Sequence, residues 1–176
     1  MKEHIVKPLI PEEKVEERIC ELAAEINRDY GDTPLHLVGI LRGSVPFLWS
    51  LARNLKMPVT MDFISCSSYG SGTSSSGSVR LHKDLEESIE GRHVLVIEDI
   101  IDTGNTLSYL IELLKARKPA SLKIAALLDK PSRRTRKDIS VDYECFEIPD
   151  EFVVGYGLDY DQRYRNLPYI AYVEFV

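Results

Sequence analysis

Three carboxylates stand close together at Glu98, Asp99 and Asp102, and the residues that follow, Thr103, Gly104, Asn105 and Thr106, are small and rich in hydrogen-bonding groups. Glycine lets a backbone approach a ligand closely. Free N–H groups at a helix start bind anions, and threonine hydroxyls add donors beside them. Acids flanking such a cradle would repel a phosphate unless they face sugar hydroxyls or a divalent cation. The combination therefore points to a phosphorylated sugar carried with Mg²⁺. Spacing sets other motifs aside. A Walker A loop needs G-x-x-x-x-G-K-[ST], but Asn105 stands in the lysine position and no glycine lies five residues before Gly104. An aspartyl-phosphate enzyme would favour two aspartates separated by one residue, whereas Asp99 and Asp102 are three apart. The plain alternative is an ordinary strand-to-helix turn capped by Asp102 or Thr103.

These residues need a strand before them and a helix after them. Val94-Leu95-Val96-Ile97 is a β-branched and aliphatic run, and Leu107, Leu110, Ile111 and Leu114 recur at helical spacing. In open α/β sheets ligands bind beyond the carboxyl ends of the strands, which is where the acids fall. Upstream, Pro11 opens a helix carrying Val15, Ile19, Leu22 and Ile26, stopped by Gly31. A strand at 35–40 runs into Leu41-Arg42-Gly43-Ser44, and Pro46, Phe47, Trp49, Leu51 and Leu55 indicate a second helix packed back on the sheet. That short glycine-containing loop with one arginine is again phosphate-like. An ordinary turn with a surface arginine explains it equally well.

Residues 58–66 alternate like a strand, and 79–81 begin a returning one. Between them, 67–78 holds only Ser, Gly and Thr apart from Tyr69. Such a segment buries too little apolar area to offset an ordering entropy of roughly 1–2 kcal/mol per residue, so it reads as a lid within a compact fold. Its glycines do not fit G-x-G-x-x-G, which speaks against dinucleotide binding. Residues 122–128 form another buried strand ending at Asp129-Lys130. The next stretch, Lys130 to Lys137, holds five basic residues: Lys130, Arg133, Arg134, Arg136 and Lys137. A solvated loop accounts for most of them, with nucleic-acid binding the rival. Residues 143–148, 152–160 and 169–175 read as short strands of a β-rich hood.

The 176 residues fit one domain with a proper core, 44% of them being hydrophobic, and the net charge of −6 disfavours a nucleic-acid partner. Cys20, Cys66 and Cys145, odd in number and without a C-x-x-C pair, are expected to be reduced core thiols. His4, His36, His82 and His93 have no mutual metal-ligand spacing. No stretch approaches the ~18 apolar residues of a membrane span, so the cytoplasm is the default location.

The stretch Val94 to Leu107 closely resembles the signature of type I phosphoribosyltransferases, and Glu98-Asp99-Ile100-Ile101-Asp102-Thr103-Gly104 resembles their hypoxanthine-guanine branch. The string from Glu147-Ile148-Pro149-Asp150 through Asp161 is similar to that branch's base-binding segment. The resemblance implies an α/β fold with a mainly parallel central sheet flanked by helices. One domain would span 1–176, with a core at about 35–145, a small hood from the N-terminal segment and about 146–176, and a lid at 67–78. It implies transfer of a phosphoribosyl group from 5-phosphoribosyl-1-pyrophosphate to N9 of a 6-oxopurine, hypoxanthine or guanine, with Mg²⁺ as cofactor. The donor would be held by Leu41, Arg42, Gly43, Ser68, Tyr69, Glu98, Asp99, Asp102, Thr103, Gly104, Asn105, Thr106 and Arg165, with the Leu41–Arg42 peptide able to be cis.

By the same resemblance Asp102 takes the N7 proton as N9 attacks. Lys130 donates to O6, Phe152 stacks on the base, Val153 reads its N1/N2 edge through backbone, and Ile100 and Asp159 complete the purine site. Metal ligands would be Glu98, Asp99 and Asp159. Asn105 departs from members that carry lysine there, which touches only one side-chain contact with a phosphate held largely by backbone. The family implies homodimers or homotetramers. It leaves hypoxanthine, guanine and xanthine unranked, and a regulator binding nucleic acid through the basic loop is the rival from another class.

Overall fold

The structure, a computed structural model, describes residues 2–68, 79–136 and 138–176. Its elements run β1 (His4–Ile10), α1 (Glu12–Tyr30), β2 (Leu35–Ile40), α2 (Val45–Ala52), β3 (Val59–Ser68), β4 (Val79–Lys83), β5 (His93–Ile101), α3 (Asn105–Lys115), β6 (Ser121–Asp129), β7 (Tyr143–Glu147), β8 (Val153–Val154) and β9 (Ile170–Phe175), with one 3₁₀ turn at Pro131–Arg133. A six-stranded sheet has the order β4-β3-β2-β5-β6-β7, parallel except for the β3–β4 pair at one edge. β1, β9 and β8 form a separate antiparallel sheet from the two chain ends.

β5 lies inside the sheet with partners on both sides, and its residues explain why. Leu95 and Ile97 pack with α1 and α2 residues such as Leu22, Ile26 and Phe47, while Val94 and Val96 pack with α3 residues Leu107, Leu110 and Leu114. Alternate residues thus enter two cores on opposite faces. All four are fully buried, each worth roughly 1.5–3 kcal/mol relative to exposure. A one-residue slip would exchange every side chain between faces, so register is held firmly and the acids are delivered to one defined place.

α1 begins after Pro11 and ends at Gly31, whose φ of +55° and N–H bond to the Asn27 carbonyl close the helix as its sequence indicates. α2 differs from expectation in two ways. It stops at Ala52, leaving Leu55 in a following turn, and Trp49 is 60% exposed instead of packed on the sheet. Phe47 and Leu51, four apart, face inward, and Trp49 midway between them points away. The expectation of three core thiols also needs correcting: Cys145 is buried, Cys66 half-buried and Cys20 exposed on α1. The lid expected at 67–78 lies outside the described residues from position 69 onward. Pairing of Ser67 with Arg80 and Ser68 with Val79 brings its two ends together. Among the described residues no helix is long and apolar enough to cross a membrane.

Candidate active site

The loop between β5 and α3 is the centre of the site. Gly104 takes φ +80° to turn the chain into the helix, and the Thr103 hydroxyl lies 3.4 Å from the Asn105 amide. Glu98 and residues 100–107 line a cleft of about 150 Å³. Thus Thr103, Gly104, Asn105 and Thr106 surround one small space at a helix N-terminus, as an anion cradle requires. Asp102 does not cap the helix. Its Oδ1 lies 3.0 Å from Nε of Arg133.

Glu98 and Asp99 sit just beyond the last pair of β5 with β2, where β5 stays paired with β6, and they are part-exposed to water but surrounded by protein. Burial, with the neighbouring Asp99 carboxylate next, pushes the Glu98 carboxyl well above the usual range. Burial also pushes Asp99 up, opposed by hydrogen bonds and by the charge of Arg165. Asp99 is oriented by the Ile100 amide, which donates to Oδ1 at 2.7 Å.

The Leu41–Arg42 peptide is cis, and Gly43 after it is pressed against Asp99: an added Cβ would lie 1.5 Å from Asp99 Oδ2. On the other side, a Cβ on Gly157, which has φ +100°, would lie 2.0 Å from the Gly43 carbonyl oxygen. Three segments far apart in sequence therefore meet with no room for a methyl group. Arg165 ties the hood loop together, donating to the Gly157 carbonyl at 2.8 Å and pairing with Asp159 at 2.7 Å. Gln162 accepts from both Arg42 and Arg165 at 3.3 Å. Arg42 and Arg165, the two cations expected around a pyrophosphate, thus share one partner.

Lys130 follows β6 directly beside the central loop, its amide donating to the Ile101 carbonyl at 2.9 Å. Its side chain is only 9% exposed, and its Nζ donates to the Glu151 carbonyl at 2.6 Å with Asp150 3.9 Å away. Phe152 remains 45% exposed and meets Tyr160 edge-to-face at 5.5 Å, leaving ring surface for a ligand. Val153 is buried in β8, pairing with Tyr172. Ser68 enters as the last residue of β3, and Tyr69 lies outside the described residues.

Among the described residues no three histidine, cysteine or acidic side chains converge as a metal-ligand set. The structure does not gather Asp159 with Glu98 and Asp99 in that way: its carboxylate is engaged by Arg165 and by the Gln162 amide. The adjacent Glu98 and Asp99 still fit Mg²⁺, which takes one or two carboxylates and completes its shell with water and substrate phosphate. Burial raises both carboxyl groups, with the adjoining Asp99 carboxylate adding to the rise at Glu98, and a cation would favour their charged forms.

Sequence reasoning missed the role of the basic loop. Arg133 reaches Asp102 and, at 3.6 Å, Asp150. Arg134 pairs with the buried Asp129, and Arg136 with Asp138. Nothing in the spacing of 102, 133 and 150 signals that they meet. The meeting follows from parallel β5 and β6 ending side by side, Ile101 opposite Asp129.

The phosphoribosyl transferase domain family matches residues 9–161. The chain is 53% identical over 171 residues to a hypoxanthine-guanine phosphoribosyltransferase of Bacillus subtilis, covering 97% of this chain and 94% of that protein. It is 54% identical to the bifunctional protein TilS/HprT of Listeria monocytogenes over 97% of this chain, but spans only 26% of that longer protein. The crystal structure of a Staphylococcus aureus hypoxanthine phosphoribosyltransferase superposes with a TM-score of 0.91 at 49% identity, covering 96% of this chain and 91% of that one.

Proposed function

Since this chain belongs to the phosphoribosyl transferase domain family, we infer that it is a purine salvage enzyme. It transfers the 5-phosphoribosyl group of 5-phosphoribosyl-1-pyrophosphate to N9 of hypoxanthine or guanine, giving IMP or GMP and pyrophosphate. The observation that carries the choice of base is Lys130: a buried ammonium at the end of β6, bonded through its backbone to Ile101 and so next to the phosphate cradle and Asp102. A donor there welcomes a 6-oxo group and opposes the amino group of adenine, because two donors would face each other.

In this reading the 5′-phosphate occupies the cleft of residues 103–106, with Asp102 contributing its amide. Glu98 and Asp99 orient the ribose hydroxyls. Arg42, Arg165 and the backbone at Leu41 and Gly43 receive the pyrophosphate, with Ser68 and Tyr69 assigned to the same group. Ile100, Phe152, Val153 and Asp159 complete the base site around Lys130. Mg²⁺ would be held by Glu98 and Asp99, with Asp159 assigned to the same ion, and would supply neutralisation of charge on the pyrophosphate. Asp102, on the same loop as the cradle, receives the N7 proton as N9 bonds to the sugar carbon. Preorganised cations and amides stabilise the leaving group.

We place the protein, a single domain of a hood and a core, in the cytoplasm, on the strength of three unpaired thiols. We assign it a homodimer or homotetramer, for which the exposed Val45 and Trp49, one turn apart on α2, offer an apolar face. The nucleic-acid reading loses support because Arg133, Arg134 and Arg136 are each engaged by aspartates.

The test is nucleotide formation from the donor, Mg²⁺ and, separately, hypoxanthine, guanine, xanthine and adenine, followed by ultraviolet absorbance. Turnover of 6-oxopurines with adenine inert is expected. No turnover of any base in protein that binds the donor would overturn the reading.

A further inference from the structure

We propose that Arg133 is a positioning residue for the purine base, a guanidinium that rests on Asp102 in the free enzyme and moves across to Asp150 as the base enters. The proposal rests on the reaction assigned above. Its starting point is a three-residue bridge: Arg133 Nε lies 3.0 Å from Asp102 Oδ1 and its Nη1 3.6 Å from Asp150 Oδ2. Asp102 is the carboxylate that must face N7, so a guanidinium lying on Oδ1 occupies the place where the base is to bind. All three side chains are about half exposed. An ion pair that exposed shifts an equilibrium by about fivefold at most, so the base can displace it readily.

The surrounding loop is built so that the side chain moves and the backbone does not. The amides of Thr135 and Arg136 both donate to the Thr103 carbonyl, at 3.1 and 3.3 Å, and that of Arg133 donates to the Lys130 carbonyl at 3.0 Å. Arg134 is fastened to Asp129 and to the Ile139 carbonyl. The second seat is already close, so the guanidinium keeps a carboxylate partner throughout. Lys130 stands close by, its Nζ 3.9 Å from Asp150 Oδ1. Lys130 keeps its 2.6 Å bond to the Glu151 carbonyl through the move, so the ammonium stays in place for the oxygen of the base. The displacement thus clears the proton acceptor and leaves the selecting donor where it is.

The test is steady-state kinetics with hypoxanthine as the varied substrate, in the full chain, on Asp150→Asn, Arg133→Gln and the double variant. Asp150→Asn removes the second seat and leaves the guanidinium on Asp102, so KM for hypoxanthine rises about three- to fivefold, more than kcat changes. Arg133→Gln removes the obstacle and lowers KM. In the Arg133→Gln background, Asp150→Asn then has little further effect, the non-additivity expected of residues acting as one unit. The same rise in KM in both backgrounds would show Asp150 acting on Lys130 alone and overturn the proposal, as would an unchanged or raised KM in Arg133→Gln. A wild-type protein with no turnover overturns the reaction reading, and this proposal with it. These outcomes are distinct.

Discussion

Replacing Gly43 by alanine tests whether the Arg42 loop and the β5 acids form one rigid unit. Gly43 has no positive φ, so the methyl group introduces a collision and not backbone strain. An ideal Cβ would lie 1.5 Å from Oδ2, 2.6 Å from Cγ and 3.2 Å from Cβ of Asp99, and the first two are closer than real Cβ contacts occur. The whole carboxylate must therefore leave its position, giving up the 2.7 Å bond from the Ile100 amide. A hydrogen bond to a charged group contributes about 1.5–3 kcal/mol, and Asp99 lies at the low end because it is part-exposed and water can partly replace the amide. At roughly 2–4 °C per kcal/mol for a domain of this size, the melting temperature should fall by about 3–6 °C.

The effect on activity should be larger. A displacement on the order of 1 Å of a group that positions substrate costs about 100-fold, so kcat/KM for the phosphoribosyl donor should fall by at least that factor. Differential scanning fluorimetry and steady-state kinetics read the two effects. Asp99→Ala provides the control, because without the carboxylate most of the collision disappears and Gly43→Ala should cost little further stability. A Gly43→Ala protein with wild-type melting temperature and kcat/KM would refute the reasoning, and so would an equal loss of stability in both backgrounds.

Asp102→Asn should leave donor binding intact by calorimetry while lowering turnover by roughly 10²–10⁴, and unchanged turnover would remove it as the proton acceptor. Lys130→Ala should reduce the preference for hypoxanthine over adenine by at least about tenfold in kcat/KM, since the unfavourable donor-to-donor encounter is gone; an unaltered ratio would place the selector elsewhere. His36 is buried, its Nδ1 beside the Thr60 hydroxyl and its Nε2 without a partner, and burial, then Arg92, lowers its pKa. The unfolded chain therefore binds the proton first, and this contribution to stability is present above about pH 6.5 and lost as pH falls below it. The drop in melting temperature from pH 7.5 to 5.5 should shrink in His36→Asn, and an equal drop would discount the residue. In timed alkylation read by mass spectrometry, exposed Cys20 should react first. Cys66, pushed up by burial to about 11, should follow, and Cys145, pushed up to about 12, should react only in denaturant, whereas early labelling of Cys145 would contradict its burial.

The parts of this fold that were legible in the sequence are those set by short-range rules. The run from Val94 to Ile97 reads as a doubly buried strand, the 103–106 stretch as a tight turn into a helix, and Pro11 and Gly31 delimit α1. Trp49 was misplaced because residue type suggested burial where its position on the α2 helix did not. The contacts that complete the site were not legible, because they cross long separations. Gly43 against Asp99, Gly157 against Gly43 and Arg133 against Asp102 are consequences of which strands end side by side, and no local pattern encodes them. Asp159 was assigned to metal on resemblance, whereas its pairing with Arg165 depends on how the hood turns back.

Those long-range contacts share a logic. The donor carries several negative charges, yet Glu98 and Asp102 line the cleft, Asp99 adjoins Glu98, and Asp150 and Asp159 reach the arginines around it. In the free protein Asp102 and Asp159 are paired with arginines, and Asp99 lies within the influence of Arg165. Arg133, Arg165, Asp102 and Asp159 are all partly open to water, so the ion pairs are weak enough to exchange. In the reading proposed above, a pyrophosphate arriving at Arg165 would replace one anion by another, and a base arriving at Asp102 would displace a cation that has Asp150 close by. Neither exchange strands a buried charge, which would cost far more than a surface pair returns. The acids of β5 alone would repel the substrate. Placed against the arginines of the hood and the basic loop, they make a site whose charges are balanced before the substrate binds and can be rebalanced afterwards.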